Sequence, residues 1–169
     1  MSRGFVKEDD QEELPMVPPR ADLPNGVTNY VTPNGLQALL SERDELHKEK
    51  DQLNNSDENE RRIAANFITA KLQLLQERIT TAKVVDLTKQ PKDEVRFGAL
   101  VTLQISDAKT PQQYQLVGVD EANIAQQKIA FIAPIAKLLI NKKVGDQAVL
   151  HLRTKDRTFS ILSISYPLL

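Results

Sequence analysis

The side chains with most scope for chemistry are three carboxylates that follow a polar turn. Asp57, Glu58 and Glu60 come directly after residues 54–56, whose composition is typical of a turn between helices. Acidic residues in the first turn of a helix are favoured by the helix dipole. Carboxylate oxygens are also the ligands that hard divalent cations prefer. The composition of this turn leaves both interpretations open for the three acids.

The sequence lacks the residues and spacings that other kinds of catalytic site require. The chain has no Cys, which excludes disulfides, thiolate nucleophiles and Cys-ligated zinc. His47 belongs to a charged helical stretch and His151 alternates with the buried positions of a strand, so both are expected to face solvent. The sequence shows no nucleophile–base spacing and no glycine-rich phosphate loop. We therefore expect no catalytic residue, no cofactor and no metal ion bound by the isolated protein.

Two amphipathic stretches flank the polar turn and would position its acids. Thr32 is suited to cap a helix whose first residue is Pro33. Apolar residues then repeat every seven positions in the first stretch and step by four and three in the second. These residues are Leu39, Leu46 and Leu53, then Ile68, Leu72, Leu75, Ile79 and Ala82. Narrow apolar stripes on two charged helices predict an antiparallel coiled-coil hairpin over residues 31–86.

Residues 87–169 are predicted to form an α+β domain, because apolar residues alternate there as in strands with one buried face. The alternating residues are Val101, Leu103 and Ile105, then Ala148, Leu150 and Leu152, then Leu162, Ile164 and Tyr166. Pro134 is expected to begin one short helix and Asn141 to end it in a left-handed conformation. The apolar face of this helix would be formed by Ile135, Leu138 and Leu139. Antiparallel strands around this helix are the expected architecture.

Residues 1–30 form an acidic segment with prolines at positions 15, 18, 19 and 24. Prolines at this density exclude a helix interior, and the composition is typical of a flexible tail. The alternative is a segment that docks on the protein body or on a partner through its apolar residues. These are Phe5, Met16, Val17 and Leu23.

The formal net charge of −1 argues against a non-specific nucleic-acid binder, which usually has a basic surplus. No apolar run reaches the length of a membrane span. We therefore expect a cytoplasmic protein, monomeric and without membrane contact.

Linked motifs occur in one order through residues 84–166. They are Phe97-Gly-Ala-Leu-Val-Thr102, Tyr114-Gln-Leu-Val-Gly118, Asp120-Glu121-Ala122, Pro134-Ile-Ala136, Val144-Gly-Asp146 and Ile164-Ser-Tyr166. This pattern resembles the C-terminal domain of the bacterial GreA/GreB family, and residues 30–36 resemble the opening of that family's N-terminal hairpin. The resemblance implies an FKBP-like fold, which by itself implies no prolyl-isomerase activity because function resides in sites. Ala133 replaces the family's usual Ser, a loss of a helix cap worth about 1 kcal/mol.

The resemblance implies a transcription elongation regulator that binds bacterial RNA polymerase and meets nascent RNA and DNA only within the elongation complex. In the family, the hairpin enters the secondary channel, where an Asp–Glu pair at its tip helps to hold a Mg²⁺ ion and the attacking water. Such a factor stimulates the nuclease activity of the polymerase and is not itself an enzyme. Here Asp57, Glu58 and Glu60 would be the tip acids, sharing Mg²⁺ with the polymerase.

The resemblance also places Asp120, Glu121 and Pro134 near the polymerase-docking surface. For Asp120 and Glu121, a purely structural role in a turn is the alternative. Neither interpretation is favoured by the residues themselves.

The tip departs from the family pattern in two ways. Glu58-Asn59 matches the family's Glu-Asn, but the family's Gly and Asp fall on Asn54 and Asn55, and asparagine carries no charge. The first arm is also about a dozen residues shorter, which removes about 18 Å of reach. An ungapped alignment would instead place the tip at residues 51–55 and match fewer acids, so we prefer the first register.

Three functions stay open at this point. The first is a factor that stimulates transcript cleavage in backtracked complexes. The second is a modulator that binds the channel without cleavage and competes with cleavage factors. The third is a protein-interaction module unrelated to polymerase.

Overall fold

The computed structural model describes residues 15–54 and 56–168, and the first part of this region forms a helical hairpin. In chain order its elements are strand β1 (Tyr30–Val31), helix α1 (Pro33–Asp51), helix α2 (Glu58–Thr81) and strand β2 (Lys83–Val84). The two short strands pair in parallel and close the base of the hairpin, a pairing that the sequence did not predict. The turn between the helices includes Asn54 and Ser56, as expected, while Asn55 lies outside the described residues.

Local side chains fix where both helices begin. The Thr32 hydroxyl accepts a hydrogen bond from the Gly35 backbone N–H at 2.9 Å, and Pro33 occupies the first helical position. Such capping satisfies N–H groups that have no partner within the helix. Asp57 caps α2 in the same way. The predicted helix start at Thr32 is therefore confirmed. For the second helix, either Ser56 or Asp57 could serve as the cap from sequence, and the structure shows Asp57.

The facing stripes of the two helices form the core of the hairpin, as the seven-residue repeat predicted. The buried residues of this cluster are Val31, Leu39, Leu46, Ile68 and Leu75. Leu53, Leu72, Ile79 and Ala82 pack against them and are partly buried. The cluster is narrow because the remaining surface of both helices is largely charged, as in a coiled-coil seam.

The second part of the chain is a five-stranded sheet with one α-helix. Its elements are β3 (Leu100–Ile105), β4 (Gln112–Val117), β5 (Lys128–Ala130), α3 (Pro134–Leu139), β6 (Gln147–His151) and β7 (Asp156–Ser165). The spatial order of the strands is β5-β4-β3-β7-β6. This arrangement confirms the α+β class.

The sheet is mixed rather than wholly antiparallel, which corrects the expected architecture. Strand β5 runs parallel to β4, while the other neighbouring pairs are antiparallel. A parallel neighbour needs a connection that crosses back along the first strand. Residues 118–127 provide it, with a short 3₁₀ turn at Ile124–Gln126.

The core of this domain lies between the sheet and α3. Val101, Leu103 and Ile105 are buried as predicted. On α3 the fully buried residues are Ala136 and Leu139, while Ile135 and Leu138 are partly buried. The buried face of the helix is therefore centred one residue away from the predicted face. Asn141 ends the helix with a φ angle of 72°, which confirms its predicted left-handed conformation.

The predicted alternation fails in β7 because the strand contains a bulge. Thr102 pairs with Ser163, but the next residue, Leu103, pairs with Ile161. Leu162 is the extra residue, and a bulge reverses the side of the sheet that a side chain faces. Ile161 is accordingly 1% exposed and Leu162 is 47% exposed. The predicted burial of Leu162 was therefore wrong.

The alternation also breaks beyond the end of β6. Leu152 lies after the strand, in the turn toward β7, and is exposed. Ile164 and Tyr166, at the end of the chain, are partly buried and pack against the core. The Tyr166 hydroxyl donates a hydrogen bond to the Glu94 carbonyl and accepts one from the Arg96 N–H at 2.9 Å. Burial, its largest influence, raises the pKa of Tyr166 above its ordinary value.

No helix within residues 15–54 and 56–168 combines the length and apolar character that a membrane crossing requires.

Gly98 provides a test of close packing at the start of the sheet. Its φ angle is +87°, and a Cβ atom there would overlap the Cδ2 methyl group of Leu87. We expect Gly98→Ala to lower the free energy of unfolding by about 2–4 kcal/mol, because overlap adds to the cost of a left-handed alanine. Gly145→Ala is the matched control, since its φ is +90° with nothing within 4 Å of the added Cβ. Equal losses for both variants in urea unfolding would contradict the packing argument.

The bulge in β7 gives a second test. We expect Ile161→Ala to cost about 2–4 kcal/mol, because it opens a cavity in the core. Leu162→Ala should cost about 0.5–1 kcal/mol, since its side chain is half exposed. Chemical unfolding of both variants measures the difference. A larger loss from Leu162→Ala would show that the bulge is misplaced.

Candidate functional site

The three acids predicted at the tip lie at the start of α2 and are exposed. Asp57 is the N-cap, and its Oδ1 accepts hydrogen bonds from the Asn59 N–H at 2.8 Å and the Glu60 N–H at 3.4 Å. Glu58 and Glu60 stand in the first turn of the helix, where the dipole favours negative charge. The geometry thus shows these acids as the cap and the first-turn residues of α2, which is the structural role expected from the helix dipole. Their role toward Mg²⁺ stays a prediction.

The tip lies at the far end of the hairpin formed by α1 and α2. Helix α1 has 19 residues and α2 has 24, which corresponds to about 28 Å and about 36 Å of helix. The last buried residue of α1 is Leu46 and the first of α2 is Ile68. Residues 47–52 and 58–63 are all exposed. Apart from Ile63, which is 58% exposed, the distal part of the hairpin therefore presents mainly polar side chains to its surroundings.

The tip acids do not form a metal site by themselves. Among residues 15–54 and 56–168, no group of three or more His, Cys, Asp or Glu side chains is arranged to hold a metal ion. One oxygen of Asp57 is already used by the helix cap. Any contribution of these acids to a cation would need further ligands from another molecule.

Asp120 lies at the joint between the hairpin and the sheet domain. Its side chain is 7% exposed, and Oδ1 accepts a hydrogen bond from Arg20 Nε at 3.0 Å. Arg78 Nε, on α2, lies 3.7 Å from Oδ2. A buried carboxylate requires such partners because the loss of hydration is costly. Asp120 is thus held between the N-terminal segment and the hairpin.

Glu121 has a comparable position on the other side of the joint. It accepts a hydrogen bond from the Thr32 hydroxyl, the group that also caps α1. Lys128 Nζ lies 3.4 Å from the second carboxylate oxygen, and the Glu121 side chain is 9% exposed. The start of α1 is therefore connected directly to the loop that follows β4.

These contacts bear on the predicted polymerase-docking role of Asp120 and Glu121. That role stays a prediction, but both carboxylates are engaged inside the chain. Arg20 and Arg78 were not predicted as partners of Asp120 from the sequence. Asp120 and Arg20 are 100 positions apart, and the charged pair has no local pattern that would reveal it.

Aromatic packing completes the joint. Tyr30, Phe97 and Phe131 form a triangle whose ring centroids are 5.5–5.8 Å apart, a range typical of favourable ring contacts. Gly118 lies beside Tyr30, and a Cβ there would come 2.5 Å from the Tyr30 carbonyl oxygen. Backbone of the hairpin base and backbone of the sheet domain thus approach closely.

Pro134, the third predicted docking residue, is exposed at the start of α3, and the next residue, Ile135, lines a groove. The groove has a volume of about 610 Å³. Its lining includes Ile105, Tyr114, Ile124, Ile129, Ile135 and Phe159. Asp107 and Arg157 also line it and lie 3.0 Å apart. Hydrogen bonding to Lys155, followed by Arg157, lowers the pKa of the Asp107 carboxyl.

Fold and tip together define a two-part protein in which a small mixed-sheet domain carries a projecting helical hairpin. The family model of the C-terminal domain of transcription elongation factors GreA/GreB matches residues 90–166. GreA of Maricaulis maris (strain MCS10) is 32% identical over 129 residues, covering 76% of this chain and 82% of that protein. GreA of Francisella tularensis subsp. novicida (strain U112) is 32% identical over 152 residues, covering 80% and 95%. This chain belongs to the GreA/GreB family of transcription elongation factors.

Solved structures with a similar chain include GreA factor homolog 1 of Thermus thermophilus. It has 19% sequence identity and a TM-score of 0.38, with 82% of this chain and 99% of that chain covered. A GreA/GreB factor from Nitrosomonas europaea has 15% identity and a TM-score of 0.41, with 81% and 98% covered.

The cap of α2 gives a test that separates the shape of the tip from its charge. Asp57→Ala should lower the free energy of unfolding by about 1 kcal/mol, because two backbone N–H groups lose their acceptor. Asp57→Asn should stay within about 0.3 kcal/mol of the original protein, since asparagine caps helices equally well. Urea unfolding and amide exchange at Asn59 and Glu60 measure the effect. Equal loss in both variants would contradict the capping role.

Proposed function

We propose that this chain regulates transcription elongation by binding bacterial RNA polymerase and directing its hairpin into the secondary channel. The observation that carries the proposal is the exposed, polar end of the hairpin beyond Leu46 and Ile68. A projecting rod of paired helices suits insertion into a channel, and membership of the family indicates the class of partner. The protein would act in the cytoplasm, where the polymerase works.

The first mode of action is stimulation of transcript cleavage. Glu58 and Glu60 stand on a helix whose start is fixed by the Asp57 cap, so their backbone positions are well defined. Inside the channel they would add carboxylate oxygens beside the RNA end, while the Mg²⁺ of the polymerase supplies Lewis-acid chemistry. The hydrolysis would belong to the polymerase, and this chain would contribute no catalytic residue of its own.

The second mode is occupancy of the channel without cleavage. Two features of the tip favour it. One Asp57 oxygen is already bound by the backbone of α2, and the sequence has the neutral Asn55 where the family has an Asp. In this mode the protein would compete with cleavage factors for the same channel.

Docking on the polymerase would use the Pro134 side of the sheet domain. The groove lined by Ile135, the residue after Pro134, offers apolar side chains such as Tyr114, and Ile124 in its lining is 71% exposed. Exposed apolar groups of this kind are typical of interaction sites. Asp120 and Glu121 would serve the joint, because their carboxylates are almost buried.

A backtracked elongation complex tests the proposal. Polymerase stalled on an end-labelled RNA is mixed with this protein, and binding is measured by co-migration while cleavage is measured by release of 3′ fragments. In the cleavage mode, Glu58→Gln combined with Glu60→Gln should reduce the cleavage rate by about 10²-fold or more, because the added oxygens lose their charge. Asp57→Asn, which keeps the cap, tests the third acid separately.

The control variant is Glu45→Gln, which removes an exposed charge from α1 away from the tip. It should leave binding and cleavage unchanged. Binding without fragments, together with inhibition of an added cleavage factor, supports the second mode. Absence of polymerase binding would refute the proposal and leave a protein-interaction module with another partner.

A further inference from the structure

Residues 15–29 lie along the hairpin without helix or strand, with a turn at residues 25–26, and contact both helices and the sheet domain. We propose that these residues form a strap in which Arg20 is the positioning residue, fixing the angle between the hairpin and the sheet domain. The strap is the part of the acidic, proline-rich segment that the structure describes. Of the apolar residues predicted to dock, Phe5 lies outside the described residues, Met16 is 95% exposed, and Val17 and Leu23 are partly buried. The directional contacts of the segment are those of Arg20.

Arg20 joins two parts of the molecule with one guanidinium group. Its Nη1 and Nη2 donate hydrogen bonds to the two carboxylate oxygens of Glu42 on α1, at 2.8 and 3.0 Å. Its Nε donates to Asp120 Oδ1 in the sheet domain at 3.0 Å. A bidentate arginine–carboxylate pair fixes direction as well as distance, because the fork is planar. The side chain of Arg20 is 19% exposed, so solvent competes little for these bonds.

Further contacts hold the strap on α2. Arg78 donates a hydrogen bond to the Ala21 carbonyl. Asn29 is 4% exposed, and its Nδ2 donates to the Arg78 carbonyl at 3.0 Å and to Thr81 Oγ1 at 3.2 Å. Pro18 and Pro19 line a cavity together with side chains of both helices. The strap is therefore fastened near its middle, at Arg20 and Ala21, and at its C-terminal end, at Asn29.

The charged side chains around Arg20 are balanced in number. Two cations, Arg20 and Arg78, meet two anions, Glu42 and Asp120. Hydrogen bonding to Glu42 raises the pKa of Arg20 above its ordinary value, so the guanidinium stays charged at any pH at which the protein folds. Without Arg20, Asp120 would keep only the longer 3.7 Å contact to Arg78. The carboxylate would then draw water into the joint.

The position of the tip depends strongly on this angle. The chain crosses between hairpin and sheet domain near the short strands β1 and β2, which have two residues each. A rotation of about 15° there would move the end of a helix about 36 Å long by about 9 Å. The strap is placed where it resists such a rotation, because it contacts α1, α2 and the loop after β4 together. Its consequence for polymerase rests on the proposed function, but its effect on the angle does not.

A distance measurement on the full chain tests the strap. The protein has no Cys, so Glu49→Cys on α1 and Lys137→Cys on α3 introduce two sites for spin labels at exposed positions. We expect a single narrow distance by pulsed electron resonance in the original background. In the Arg20→Ala background we expect loss of that narrow distance and appearance of a broad distribution. Arg20→Lys should give an intermediate result, because lysine keeps the charge but not the fork.

Two further variants separate a change in the angle between hairpin and sheet domain from a general loss of folding. Glu42→Gln removes the charge and one of the two acceptor oxygens on α1, at a half-exposed side chain, and should also broaden the distribution. Arg43→Ala, beside it on α1, removes a surface arginine whose nearest acid is 3.9 Å away and should change nothing. Circular dichroism verifies that the helices persist. An unchanged narrow distance in either Arg20→Ala or Glu42→Gln overturns the proposal, whatever the result with polymerase.

Discussion

A buried carboxylate needs a countercharge, and at Asp120 this requirement ties three separate parts of the chain together. The loop after β4 supplies the acid, the N-terminal segment supplies Arg20, and α2 supplies Arg78. Removing one partner of a buried ion pair lowers the free energy of unfolding by more than the intact pair contributes to it. The reason is that the remaining charge is left buried without hydration. The contact therefore acts chiefly to specify one arrangement of hairpin and sheet domain.

The neighbouring Glu121 connects the same joint to the N-terminal cap of α1. The Thr32 hydroxyl donates to Glu121 and accepts from the Gly35 N–H, so one group both starts α1 and attaches it to the sheet domain. The aromatic triangle around Tyr30 adds apolar burial at the same place. The start of α1, its contact with the sheet domain and the packing of the aromatic rings thus lie at the same place. The direction of the hairpin relative to the sheet domain is therefore set by its first residues.

Local features of the structure were predictable from the sequence, and features that depend on distant partners were not. The caps at Thr32 and Asp57 and the stripes of the hairpin follow from neighbouring residues, as does the end of α3 at Asn141. The bulge at Leu162 was missed because period-two alternation assumes a regular ladder. The tip acids were located, but the partners of Asp120 were not, since the chain must fold before Arg20 arrives beside it.

The prolines of the strap have a thermodynamic consequence of their own. Pro15, Pro18, Pro19 and Pro24 restrict the backbone of this segment before it docks, because each ring fixes its φ angle and constrains the residue ahead of it. A stiff segment forfeits less conformational entropy on docking than a flexible one. A small number of polar contacts, chiefly those of Arg20 and Asn29, can then keep the segment in place on the hairpin.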